Sequence, residues 1–236
     1  MVDVKLIKIG GFPAETQLLK NQLGLGVYTI PDVSLILGIP TFRVRHILNS
    51  IWDDRFGKQI FHESYSWNFK KTKAVNFLLL IEFNTFFHLK ELGVSTQRIV
   101  QARNAMVKEL NQPYPFASNV LLTNGRRIWY ECKENAIDAD GTRQTSFLNI
   151  LSSFCERVEF NGNNLAQRYW PLGKDFSVVV DPAHNFGQPT IKNTNIGAYI
   201  IYSMVQSGEP IPVIRSLYDL SEKEVKDAIA FYQPAA

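Results

Sequence analysis

Apolar residues recur at helical spacing through most of residues 27–111. Tyr28-Thr29-Ile30-Pro31-Asp32-Val33 opens a first helix. Thr29 or Ile30 enters its cap region, and Pro31 and Asp32 suit a first turn, where a missing N–H costs nothing and an acid meets the positive end of the dipole. Leu35, Ile36 and Leu37 supply apolar surface, and Gly38 sits where the chain must turn sharply. Thr41 is expected to cap a second helix over 42–49, in which Val44, Ile47 and Leu48 repeat at three and four and face inward. Phe42, Arg43, Arg45, His46 and Asn49 are left for the other faces. The apolar run 75–92 carries Asn76, Glu82, Asn84, His88 and Lys90 and falls short of the ~20 apolar residues of a membrane span. It predicts a buried helix or a subunit contact. Asn111-Gln112-Pro113-Tyr114-Pro115 ends the helical block, since proline lacks a donor and restricts its predecessor.

The pattern then changes. Asn124-Gly125 between Val120-Leu121-Leu122 and Ile128-Trp129-Tyr130 predicts a hairpin, and Asp140-Gly141 marks another turn. Residues 145–154 suit a helix and 176–180 a short strand, before Asp181-Pro182 closes the region. Three helical patterns follow His184. The first, 197–206, places Ile200, Ile201, Met204 and Val205 together and ends at Gly208. The second covers 210–217. The third opens with Ser221-Glu222-Lys223-Glu224, a capping box, and continues through Val225, Ala228, Ile229 and Tyr232. The fold expected is mainly α with a small β-rich middle segment. Its units are an N-terminal arm (1–26), a helix-turn-helix domain (27–116), a hairpin-rich connector (117–183) and a tri-helical module (184–236).

Composition narrows the function classes without choosing one. Hydrophobic residues make up 45% and charged residues 20% of the 236 residues, and the net charge is +3. That mild excess permits nucleic acid without requiring it, so local clusters must carry the argument. Cys132 and Cys155 form no Cys-x-x-Cys pattern, and no signal core follows Lys5 and Lys8, which favours a reducing, cytoplasmic setting. The four histidines, His46, His62, His88 and His184, share no metal-ligand spacing, and Asp181-x-x-His184 reads as a turn residue beside a surface histidine. Glu131, Glu134, Asp138 and Asp140 read as a solvated turn. No phosphate-loop, dinucleotide or nucleophile-elbow motif is present. The chain reads as a non-enzyme with no metal, cofactor or membrane association.

Arginine and asparagine on a second helix are the side chains that contact base edges in the major groove. Tyr28-Thr29-Ile30, Asp32-Val33 and Gly38-Ile39 resemble the opening of the MerR-like winged helix family, and 88–99 (His88-Leu89-Lys90-Glu91-Leu92-Gly93-Val94-Ser95 onward) looks like that family's later helix pair. The likeness covers roughly 27–110 and departs from the pattern at Pro40 and in a longer insertion over 52–68. It implies a wing at 57–61, with Arg55, Lys58, Lys70, Lys71 and Lys73 approaching phosphates. The implied DNA-binding set is Phe42, Arg43, Arg45, His46, Asn49, Lys58, Lys70, Lys71 and Lys73.

Gly187-Gln188-Pro189-Thr190-Ile191-Lys192, Asn193-Thr194-Asn195-Ile196, Ser207-Gly208-Glu209 and Leu220-Ser221 resemble the domain-of-unknown-function family numbered 433. Asn193 and Asn195 stand where the pattern has glycine and arginine. A helix-turn-helix region followed by this unit looks like a VapB-type antitoxin of a bacterial toxin–antitoxin pair. That resemblance implies a PIN-like ribonuclease toxin as partner, operator DNA as ligand, autorepression and a homodimer. Glu222, Lys223, Glu224, Lys226 and Asp227 give the last helix a mixed face, poor for a polyanion, so this unit suits a toxin or self-association. The alternative is a ligand-responsive MerR-like regulator unlinked to a toxin, with Trp129, Tyr130, Tyr169 and Trp170 around a small molecule instead of in a core.

Overall fold

The structure, a computed structural model, describes residues 24–119 and 156–233. The expected hairpin at Asn124-Gly125, the turn at Asp140-Gly141, the helix over 145–154, the acids 131–140 and both cysteines lie outside these residues. The fold is mainly helical with small sheets.

The chain enters through β1 (Tyr28–Thr29) and α1 (Ile30–Leu37). Thr29 caps α1 in a reciprocal box: its hydroxyl accepts from the Asp32 N–H, and Asp32 accepts from the Thr29 N–H at 2.8 Å. Gly38 ends α1 at φ 66°, a left-handed conformation that glycine adopts without a Cβ clash. α2 (Thr41–Ile47) follows at once. Pro40 occupies its N-cap position, and Thr41 is already helical, so the expected Thr41 cap is not formed. α2 continues without a break into wide π-type turns over Leu48–Phe61.

That continuation corrects the expected wing. Residues 57–61 are helical, and Gly57 is buried against backbone: a Cβ there would meet Trp52 O and Glu63 O. The hairpin lies further on, in β2 (Trp67–Phe69) and β3 (Thr72–Val75), joined through Lys70 and Lys71. β3 is central in the antiparallel order β1-β3-β2, with Tyr28 opposite Val75 and Trp67 opposite Ala74.

α3 (Phe77–Glu91) is the apolar run, and it is buried on all sides from Phe77 to Phe86. It is the central rod of the core, around which Trp52, Phe56, Tyr114 and Phe116 gather. Among the described residues no helix is long and apolar enough to cross a membrane. α4 (Thr96–Leu110), capped by Ser95, ends at Asn111 in a left-handed conformation, and a 3-10 turn (Pro115–Ala117) returns to α3.

A fully buried ion pair joins these pieces. Arg103 Nε lies 2.6 Å from Glu82 Oε2, and both side chains are completely inaccessible. Glu82 also accepts from Trp52 Nε1 at 3.0 Å and from the Phe116 N–H at 2.8 Å. Arg103 donates to Tyr65 Oη and Pro113 O, and its guanidinium lies 4.1 Å from the Phe56 ring centroid. Burial pushes the Glu82 carboxyl up, while Glu82 keeps Arg103 firmly protonated despite burial.

After the second described segment begins, β4 (Val158–Phe160) pairs with β5 (Ala166–Tyr169), and β6 (Val178–Val179) with β7 (Thr190–Ile191); a Tyr169–Val180 bridge joins the pairs. α5 (Ala198–Gln206), α6 (Ile211–Tyr218) and α7 (Glu222–Tyr232) then form the expected tri-helical unit. The strand pairing of β6 with β7 ties the stretch before His184 into that unit. The two described segments touch where the Val27 N–H donates to Phe186 O, and Gly187, at φ 85°, sits directly against the Tyr28 ring.

Candidate nucleic-acid interface

α1 and α2 cross a tight turn at Gly38, and Val44 and Leu48 seat α2 on the core. Phe42, Arg43, Arg45, His46 and Asn49 are all exposed, and Phe42 is 66% accessible. An apolar ring that exposed beside two arginines is a residue with no core role. Among the described residues Arg43 and Arg45 have no carboxylate within ion-pairing distance, so their charges face solvent uncompensated.

The β2–β3 hairpin stands beside this helix. Arg45, Asn49, Asn68, Lys70, Lys71, Thr72 and Lys73 line a cleft of about 430 Å³ floored by Ile30. Lys70 makes the turn at φ 52°, with Nζ 5.6 Å from the Phe69 ring centroid. The structure therefore brings five of the nine expected residues to one cleft: Arg45, Asn49, Lys70, Lys71 and Lys73. Phe42, Arg43 and His46 share the helix but not the cleft.

Lys58 is separate. It lies on the π-type helix, 2.8 Å from Asp54 one turn back, and does not line the cleft. Each group holds the other's charge: the hydrogen bond lowers the Asp54 carboxyl and raises the Lys58 ammonium. Lys73 is also engaged, with Nζ 2.7 Å from both Asn49 Oδ1 and Asp53 Oδ2. Asp53 is buried and further accepts from Ser66 N–H and Oγ at 2.9 and 2.6 Å. Asn68, Thr72 and Asp53 were missed from sequence. The signal for the first two was the polar Lys70-Lys71 pair between short β-prone segments, which reads as a hairpin once the preceding stretch is known to be helical.

Elsewhere, Tyr169 and Trp170 are buried, Trp170 at the edge of a small cleft with Arg168, Asp181 and His184, while Trp129 and Tyr130 lie outside the described residues. Asp181 accepts from Arg168 Nε at 2.7 Å and the Ala183 N–H at 2.9 Å, while half-exposed His184 is 3.8 Å away, so the pair serves a turn. Among the described residues no group of metal-ligating side chains comes together. The charges of α7 largely satisfy one another: Lys226 pairs with Glu222 and Lys223 with Asp227, each at 2.6 Å. Asp227 is buried, not solvated, and accepts the Ser177 N–H at 2.7 Å, which docks α7 on the β6 segment. Outside that network, Tyr199, Ile200, Val213 and Leu217 of α5 and α6 stay exposed.

A curated protein of Mycobacterium tuberculosis (strain ATCC 25618 / H37Rv), named "Putative antitoxin VapB45", is 22% identical to this chain over 153 residues. The match covers 59% of this chain and 64% of that protein, just under two thirds of its length. The crystal structure of Rv2018 from Mycobacterium tuberculosis shares the fold, with a TM-score of 0.69 at 18% identity over 89% of this chain and 100% of that one. Residues 178–232, from β6 through α7, match the family described as "Protein of unknown function (DUF433)".

Proposed function

We propose that the chain is the antitoxin of a type II toxin–antitoxin pair, which binds its own operator through α2 and the β2–β3 hairpin and restrains a PIN-like ribonuclease. The observation that carries the DNA half is a helix with Arg43 and Arg45 exposed and without acid partners among the described residues, and a hairpin that carries Lys70 and Lys71 beside Arg45. In this reading Arg43, outside the cleft, reads base edges in a major groove, and Arg45 with the flanking cationic hairpin meets the phosphates. The reading keeps the MerR-like winged arrangement, with the wing at β2–β3. A homodimer would place two such helices about one DNA turn, ~34 Å, apart.

The toxin half rests on the likeness to a protein named as an antitoxin and on the C-terminal unit. Exposed Tyr199, Ile200, Val213 and Leu217 next to internally paired charges suit a protein partner or a second copy better than a polyanion. Fluorescence anisotropy with the DNA upstream of the reading frame tests the first half: Arg43→Ala costs ~1–3 kcal/mol if Arg43 reads a guanine. Equal affinity of wild type and variant removes that assignment. Co-expression with the neighbouring frame tests the second: a ribonuclease that co-purifies and is inhibited is expected, and an uninhibited or unbound one refutes it.

A further inference from the structure

Lys73 stands in the cationic cleft, yet its charge is already engaged. Its ammonium contacts the Asp53 carboxylate and the Asn49 oxygen at 2.7 Å each, both on the π-type turns that continue α2. Asp53 is 3% exposed and is itself fixed by two donors from Ser66. An ammonium has donors only, so the atom of the Asn49 amide that faces it must be the oxygen. The amide orientation follows from chemistry alone.

That orientation has a consequence for recognition. Asparagine reads adenine by accepting from N6 with its oxygen while donating to N7. At Asn49 one of the two lone pairs of that oxygen already faces a cation, so the N6 amino group would have to share the oxygen with an ammonium. The Nδ2 group remains, with no acceptor among the described residues, on the wall shared with Arg45 and Lys71. We propose that Lys73 is a positioning residue: anchored by Asp53, it fastens the hairpin to the recognition helix and turns the Asn49 amide so that its NH2 donates to a duplex-backbone phosphate seated with Arg45 and Lys71. The inference rests on the DNA-binding reading of the same cleft and narrows it: Asn49 positions, and does not specify a base.

The test is anisotropy with a mixed-sequence duplex of about 30 base pairs over a salt series, where each phosphate contact adds about 0.9 to the log–log slope. Lys71→Met should lower the slope by about 0.9. Lys73→Met should weaken binding about tenfold with the slope unchanged, because no counterion-releasing contact is lost. Asp53→Asn is the sharper variant. Deleting a negative charge beside DNA ordinarily strengthens binding, but here it frees the clamp and should weaken binding to the same extent. The double variant should be no worse than either single. A slope reduced by about 0.9 in Lys73→Met, or tighter binding by Asp53→Asn, overturns the proposal. Urea unfolding of the wild type and the four variants without DNA separates the causes and reports whether each variant folds. Coupling between Asp53 and Lys73 in a wild type that binds no duplex refutes the DNA reading and the proposal with it. Duplex binding without coupling refutes the clamp alone.

Discussion

Replacing Arg103 by methionine removes one half of the buried pair and keeps much of its volume. Glu82 would then hold a charge in the core with only Trp52 Nε1 and the Phe116 N–H as donors. At about 4 Å between charge centres and an effective dielectric near 20, the lost attraction is about 4 kcal/mol. Removing one partner of a buried pair costs roughly 3–5 kcal/mol in other proteins, which agrees. For a domain of this size that is a fall in Tm of roughly 6–20 °C. The loss should also depend on pH. Burial already holds the Glu82 carboxyl above its ordinary 4.5, and Arg103 is the main pull the other way. Without it the carboxyl rises further. A carboxyl that ionises later in the folded chain than in the unfolded one carries its extra proton in the folded state, so stability falls as pH climbs above 4.5 towards the folded value. The deficit of Arg103→Met should therefore be smaller near pH ~5 than near pH ~8. Urea unfolding followed by tryptophan emission and by ellipticity at both pH values measures it. Glu82→Gln/Arg103→Met should recover part of the loss, because the amide needs no counter-charge and its oxygen still accepts from Trp52 or Phe116. A single variant as stable as wild type, or a deficit that grows as pH falls, would refute the account of this core.

Tyr28→Phe should be neutral or stabilising by up to ~1 kcal/mol, since the Tyr28 hydroxyl is buried with no partner among the described residues; thermal unfolding checks it, and a loss above ~2 kcal/mol would mean the hydroxyl is hydrogen-bonded after all. Gly187→Ala should destabilise, because a Cβ there would run into the Tyr28 ring and hydroxyl and φ is 85°. In a Tyr28→Phe background the Gly187→Ala loss should shrink, and a double-mutant cycle in urea reads the coupling. Ser221→Ala removes the α7 cap that accepts from the Glu224 N–H and should cost about 0.5–2 kcal/mol, with amide exchange rising first at the start of α7.

Local chemistry settled much of this molecule before any tertiary contact formed. Thr29 with Asp32, Gly38, Asn111 and Ser221 with Glu224 mark helix ends because each satisfies, or frees, backbone groups within a few residues. The spacing of Val44 and Leu48 turned Arg43 and Arg45 outward for the same local reason. Three things needed the folded chain. The resemblance implies a wing at 57–61, yet the helix runs through them, with Trp52 packed on Phe83 of α3 and Phe56 on Trp52, and the hairpin falls at Lys70-Lys71. Glu82 and Arg103 lie 21 residues apart and on separate helices, and no periodicity pairs two charges in a core. The lysines divide in the same way. Identical side chains at 58, 71 and 73 become an intrahelical pair, a cleft cation and a fastening, because what an ammonium does is decided by which carboxylate the fold brings within 3 Å of it.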